Sequence, residues 1–141
     1  MLDSLYAGLA SSNASLGLVH AMAHSAGGFL NLPPGFCNTH LLPVVVSYNF
    51  DSIPHRYRQI ANQIAIRGDD LGDKALCEKL IDSLFGLIDK CGIKRGFALP
   101  EIHNREILNQ HAEKALKDPC IAANPKIPNK EEVIFLYESS G

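Results

Sequence analysis

Asp73-Lys74-Ala75-Leu76-Cys77-Glu78-Lys79-Leu80-Ile81-Asp82-Ser83-Leu84-Phe85-Gly86-Leu87-Ile88-Asp89-Lys90 is the stretch whose reading decides the fold class. Leu76, Leu80, Leu84, Leu87 and Ile88 recur at helical spacing and line one face, while Lys74, Glu78, Asp82 and Asp89 largely avoid it. That pattern specifies an amphipathic α-helix with an apolar stripe turned to a core. Gly92, two residues beyond, suits the left-handed position that ends such a helix. No segment shows the strict alternation of a half-buried strand. The expectation is an all-α fold, a bundle of about six to seven helices.

Helical period extends in both directions from this stretch. Residues 2–12 carry Leu2, Leu5, Tyr6, Leu9 and Ala10 among small residues, which suits a helix packed on neighbours over much of its circumference. It opens with no capping residue or polar lead-in, and so reads as a helix already under way where the chain begins. Ser15 or Asn13 is the expected cap of a second helix through Leu16, Val19, Met22 and Ala23, ending or loosening at Gly27-Gly28. After Pro33-Pro34-Gly35, the segment Phe36–Tyr48 is strongly apolar, with Pro43 either starting a helix or kinking a longer one. Asp51 or Ser52 offers a cap for a helix from Pro54 to about Ile66, and Arg67–Asp70 reads as loop. Residues 93–104 read as irregular around Pro100, and Arg105–Lys117 resumes helical period. Asn129 with Glu132 three places on predicts a capping box that opens a last helix through Val133, Ile134, Leu136 and Tyr137.

The 141 residues allow one domain. A 46% hydrophobic and 20% charged composition, with mean hydropathy at zero, can fill a core. Thirteen basic against fifteen acidic residues and a pI near 6.3 leave no electrostatic footprint for nucleic acid or anionic lipid. Neither is expected as a partner. Cys37, Cys77, Cys91 and Cys120 form no Cys-x-x-Cys pair and read as reduced, buried thiols. Met1-Leu2-Asp3-Ser4 lacks the positive start of a signal peptide, and no apolar run approaches the ~20 residues that span a bilayer. The expected location is therefore cytoplasmic.

His20-Ala21-Met22-Ala23-His24 places two imidazoles four residues apart, so that on a helix they project from consecutive turns of one face. A metal ion or a substrate can meet both. His55, His103 and His111 lie among polar neighbours and are expected to be solvated. Asp69-Asp70 and Glu131-Glu132 read as loop and helix-start charges, the latter favoured by the helix dipole. No Gly-x-Ser-x-Gly nucleophile turn is present.

The flanks of the histidine pair are more specific. Gly17-Leu18-Val19-His20-Ala21-Met22-Ala23-His24-Ser25-Ala26-Gly27-Gly28, followed by Pro33-Pro34-Gly35-Phe36-Cys37-Asn38-Thr39-His40-Leu41-Leu42-Pro43, resembles the second signature of the iron-containing (group III) alcohol dehydrogenases. Leu5–Leu16 is similar to the helix before that signature. Ala112–Cys120 with Asn124-Pro125-Lys126 is similar to the family's C-terminal segment.

The resemblance implies a single, truncated helical domain over residues 1–141, the metal and substrate side of an oxidoreductase, with the nucleotide-binding domain absent. In the full-length family, iron or zinc polarises an alcohol or aldehyde oxygen while hydride passes to or from NAD(P). It also implies that His20 is a metal ligand and that His24 is a non-ligating catalytic histidine suited to proton exchange. Two departures qualify this. Of the family's four ligands, an aspartate and a histidine would precede Met1, and the last falls on Pro34, which has no donor atom. Rescue by His40 is disfavoured, and Gly27-Gly28, read as a helix end, forms no dinucleotide cradle. The chain is accordingly expected to bind no metal or NAD(P), to be inactive alone, and to join either copies of itself or a separate nucleotide-binding chain. The alternative is a non-catalytic helical remnant or docking module.

Overall fold

In a computed structural model that describes residues 1–66, 70–96 and 104–141, the apolar stripe of residues 73–90 lies on a single uninterrupted helix. Seven helices in all are found among the described residues, with no strand. They are α1 (Leu2–Ala14), α2 (Leu18–Leu30), α3 (Pro34–Phe50), α4 (Pro54–Gln63), α5 (Asp73–Lys90), α6 (Arg105–Leu116) and α7 (Lys130–Ser139), with a short 3-10 turn at Pro119–Ala123. The all-α expectation holds.

Local chemistry explains the best-defined ends. Asn129 accepts from the Glu132 N–H at 2.9 Å while the Glu132 carboxylate accepts from the Asn129 N–H at 2.8 Å, so the expected capping box is formed. Gly92 takes a φ of +70° just past α5. Pro54 occupies the first turn of α4, where its missing donor costs nothing, although the cap residue is Ile53 rather than Asp51 or Ser52.

One expectation about α2 does not hold. Gly27 and Gly28 do not end α2; the helix runs through them to Asn31, whose φ of +52° makes the left-handed stop. The Asn31 and Leu32 N–H groups both donate back to the Gly27 carbonyl, which closes the end. Gly27 is small because of packing: a Cβ there would lie 3.1 Å from the Leu32 carbonyl oxygen and 3.5 Å from the Cys37 sulfur. Of the two readings of Pro43, the longer helix is the one found: α3 begins at Pro34 and continues through Pro43, which is buried inside it.

Packing centres on α2, which lies against α3, α6 and the 3-10 turn, with α7 behind α3 and α6. Leu18, Met22, Leu41, Leu108, Ile134 and Tyr137 form the heart of this core. A smaller cluster of Phe50, Ala61, Leu76 and Leu80 joins α3, α4 and α5, with the Phe50 and Tyr57 rings stacked at 5.3 Å. None of the residues of α1 is buried, so the apolar positions Leu2, Leu5 and Leu9 stand uncovered, as the reading of a truncated helical domain expects. Leu2, Leu5, Tyr6 and Leu9 are between 52% and 64% exposed. The Val44–Val46 stretch, which the same reading also expects to be uncovered, has Val45 buried and Val44 and Val46 half-buried.

Candidate functional site

The histidine face stands on the middle of α2, whose small buried residues Ala21, Ala23 and Ala26 let it approach its neighbours closely. The start of that helix is held from far along the chain. Gly17 has no side chain to cap it, and Asn13 and Ser15 do not; instead Asn124 Oδ1 accepts from the Leu18 N–H at 3.1 Å. A Cβ on Gly17 would meet the same Oδ1 at 3.1 Å. Asn124 is itself buried and pairs with Asn49 through two amide hydrogen bonds of 2.9 and 2.8 Å.

His20 and His24 share the α2 face, with ring centroids 6.1 Å apart in an edge-to-face arrangement. His24 is half-exposed, and its Nδ1 lies 2.9 Å from Asp118 Oδ2. Asp118 caps the 3-10 turn by accepting from the Cys120 N–H at 2.8 Å through Oδ1, so both carboxylate oxygens are engaged. Burial acts to raise the Asp118 pKa, but the hydrogen bonds from the Cys120 N–H and His24 outweigh it and hold the group below its ordinary value. An ionised acceptor at Nδ1 favours the His24 tautomer with the proton on Nδ1 and the lone pair on Nε2.

His20 is pushed below its ordinary pKa first by burial and then by His24, with Asp118 opposing. It lines an open cleft of about 460 Å³ with Gly17, Val19, Asn38, Thr39 and Asn49. The buried Oδ1 of Asn38 has no hydrogen-bond partner among the described residues.

The donor set shows whether the family's cation fits these residues. Pro34 occupies the first position of α3 and has no donor atom. His40 is buried with Nδ1 2.8 Å from the Phe36 carbonyl and Nε2 3.0 Å from the Lys94 carbonyl, so neither nitrogen is turned toward a metal. His20 is left as a single imidazole, whereas catalytic sites use about three protein ligands. The described residues do not fit that cation cage.

Three other ligand-type side chains do converge. His24, Asp118 and Cys120 place one ligand atom each within 4.8 Å of one another, and His20 is outside the group. Burial and the Asp118 carboxylate push the Cys120 thiol up, so it rests protonated. The readable signal was Asp118-Pro119, an N-cap followed by the proline favoured at a first turn.

Two further expectations do not hold. His111 is not solvated: it is buried, its carbonyl accepts from Ser25 Oγ at 3.0 Å, and its ring packs edge-on to Phe29 at 5.0 Å. Among the cysteines, Cys37 is buried but Cys91 is exposed; all four are free thiols. His103 and Pro100 lie outside the described residues, as do Arg67–Asp69.

A family model described as "Fe-containing alcohol dehydrogenase family, C-terminal" matches residues 1–141. The chain is 36% identical over 139 residues to the NADPH-dependent butanol dehydrogenase of Clostridium saccharobutylicum, covering 94% of this chain and 34% of that protein. It is 32% identical over 143 residues to the lactaldehyde reductase of Escherichia coli K12, covering 99% and 36%. Among solved structures, an alcohol dehydrogenase from Oenococcus oeni superposes with a TM-score of 0.87 at 32% identity, over 96% of this chain and 35% of that one. The chain thus spans about a third of the length of these relatives. No helix among the described residues is long and apolar enough to cross a membrane.

Proposed function

We propose, from the premise that this chain belongs to the iron-containing alcohol dehydrogenase family through its C-terminal domain, that residues 1–141 form the single helical, substrate-side part of an NAD(P)-linked oxidoreductase interconverting alcohols and aldehydes. The observation that carries this is the His24–Asp118 pair. The carboxylate fixes the half-exposed ring through Nδ1 and leaves the Nε2 lone pair available, an arrangement suited to moving a proton to or from a substrate oxygen. Asp118 is then a positioning residue and His24 the catalytic one. His20, one turn earlier, contributes the ligand the family resemblance assigns to it only when other chain segments complete the cage.

The 141 residues alone hold no iron or zinc at the family's ligand positions and no NAD(P), and do not turn over. Pro34 and the engaged His40 support this for the metal. The uncovered α1 face supports assembly, with a second copy or with a separate nucleotide-binding chain. Because Pro34 removes a donor inside the signature, a second reading has the chain as a non-catalytic helical module.

The test is NAD(P)H-linked reduction of short aldehydes by the chain with and without an added nucleotide-binding domain. Turnover that appears only with the added domain supports the oxidoreductase reading. Absence of both turnover and iron in either arm supports the non-catalytic module.

A further inference from the structure

We infer that His24, Asp118 and Cys120 form a site for a borderline divalent cation of the zinc or cobalt class, built from residues at none of the family's ligand positions. The three donors are an imidazole nitrogen, a carboxylate oxygen and a thiol sulfur, the mixture that suits such ions rather than magnesium or calcium.

Two of the donors are already set. Nδ1 and Oδ2 lie 2.9 Å apart, near the roughly 3.3 Å edge that tetrahedral zinc bond lengths of about 2.0 Å require. The Asp118 carboxylate cannot swing freely because its other oxygen is held by the Cys120 N–H. The sulfur, within 4.8 Å of both, comes in by rotation about its own side-chain bond, since Cys120 is only half-buried. Three protein ligands leave a fourth position to water.

The protons balance without any redox step. Asp118 is ionised and contributes its charge directly. His24 coordinates through Nδ1, so its ring proton resides on Nε2, and the Cys120 S–H bond breaks with its proton released to solvent. One proton leaves for each ion bound, and affinity falls as pH falls. Occupation also removes the Nε2 lone pair, so a bound ion and proton exchange by His24 exclude each other. The inference stands on the cluster geometry and is independent of the proposed function.

The test uses the 141-residue chain stripped with chelator and titrated with cobalt(II). The expected result is one ion per chain and a near-ultraviolet thiolate-to-cobalt band. Cys120→Ser abolishes the band, and Asp118→Asn, which keeps a capping side chain and hence the fold, weakens binding by about tenfold or more. Cys91→Ser leaves the band and the affinity unchanged. No thiolate band, a band that survives Cys120→Ser or disappears with Cys91→Ser, or undiminished affinity in Asp118→Asn overturns the inference.

Discussion

Asn49 and Asn124, 75 residues apart in sequence, exchange two amide hydrogen bonds, and the same Asn124 oxygen caps the start of α2 at Leu18. The helix that carries His20 and His24 is therefore anchored by the Asn124-Pro125-Lys126 segment. Asn124 Nδ2 also donates to the Lys126 carbonyl at 2.6 Å, so both ends of the amide are used. Replacing Asn124 by alanine leaves the Leu18 N–H without its side-chain acceptor and removes two hydrogen bonds from the buried Asn49 amide. The expected loss is about 3 kcal/mol, read as a lower urea midpoint. A loss of under about 0.5 kcal/mol contradicts this anchoring.

The pH dependence of stability has a definite sign near neutrality. Burial, followed by the nearby Lys114 charge, lowers the His111 pKa in the folded chain, and burial with His24 lowers that of His20. The folded state resists protonation at both, so their contribution is fully present above pH about 6.5 and is lost as pH falls from there through the folded pKa values. Urea unfolding from pH 7.5 to 5 is expected to show that decline. His111→Gln removes part of the slope and His20→Gln a further part; an unchanged slope in the double variant refutes the assignment.

The α1 helix offers a separable test of assembly. Leu5 and Leu9 touch no core, so Leu5→Glu with Leu9→Glu is expected to change stability by less than about 0.5 kcal/mol. Light scattering is expected to show an associated species in the parent chain and a smaller one in the double variant. A monomeric parent removes the case for assembly through this face.

Pro34→His restores a donor at the position where the resemblance puts the last ligand. With His20 it makes only two, below the count that holds a catalytic ion against water. In a Cys120→Ser background, which silences the neighbouring cluster, we expect no tight iron or zinc binding by plasma emission after gel filtration. Stoichiometric retention shows that this face builds a metal site without further chain.

What could be read from the residues divides along physical lines. The stripe of α5 and the Asn129–Glu132 box are local: their partners lie within a few residues, so period and capping chemistry state them outright. The passage of α2 through Gly27-Gly28 is set instead by the approach of Leu32 and Cys37, which makes small residues a packing requirement and not a stop. The burial of His111 between Phe29 and Tyr137 needs three helices to be in place. At the candidate site, the i, i+4 spacing of His20 and His24 was legible, and the resemblance supplied their expected roles. The joining of His24 to Asp118, 94 residues further on, was not, because only the 3-10 turn after α6 brings that carboxylate to α2.

The account rests on these 141 residues being the helical share of an alcohol dehydrogenase and not a complete catalyst. The measurement that bears on it most directly is anaerobic NADH and NADPH oxidation by the isolated chain, loaded with iron(II) and given a short aldehyde. We predict a rate indistinguishable from buffer with either nucleotide. Sustained, aldehyde-dependent turnover by this chain alone contradicts the account.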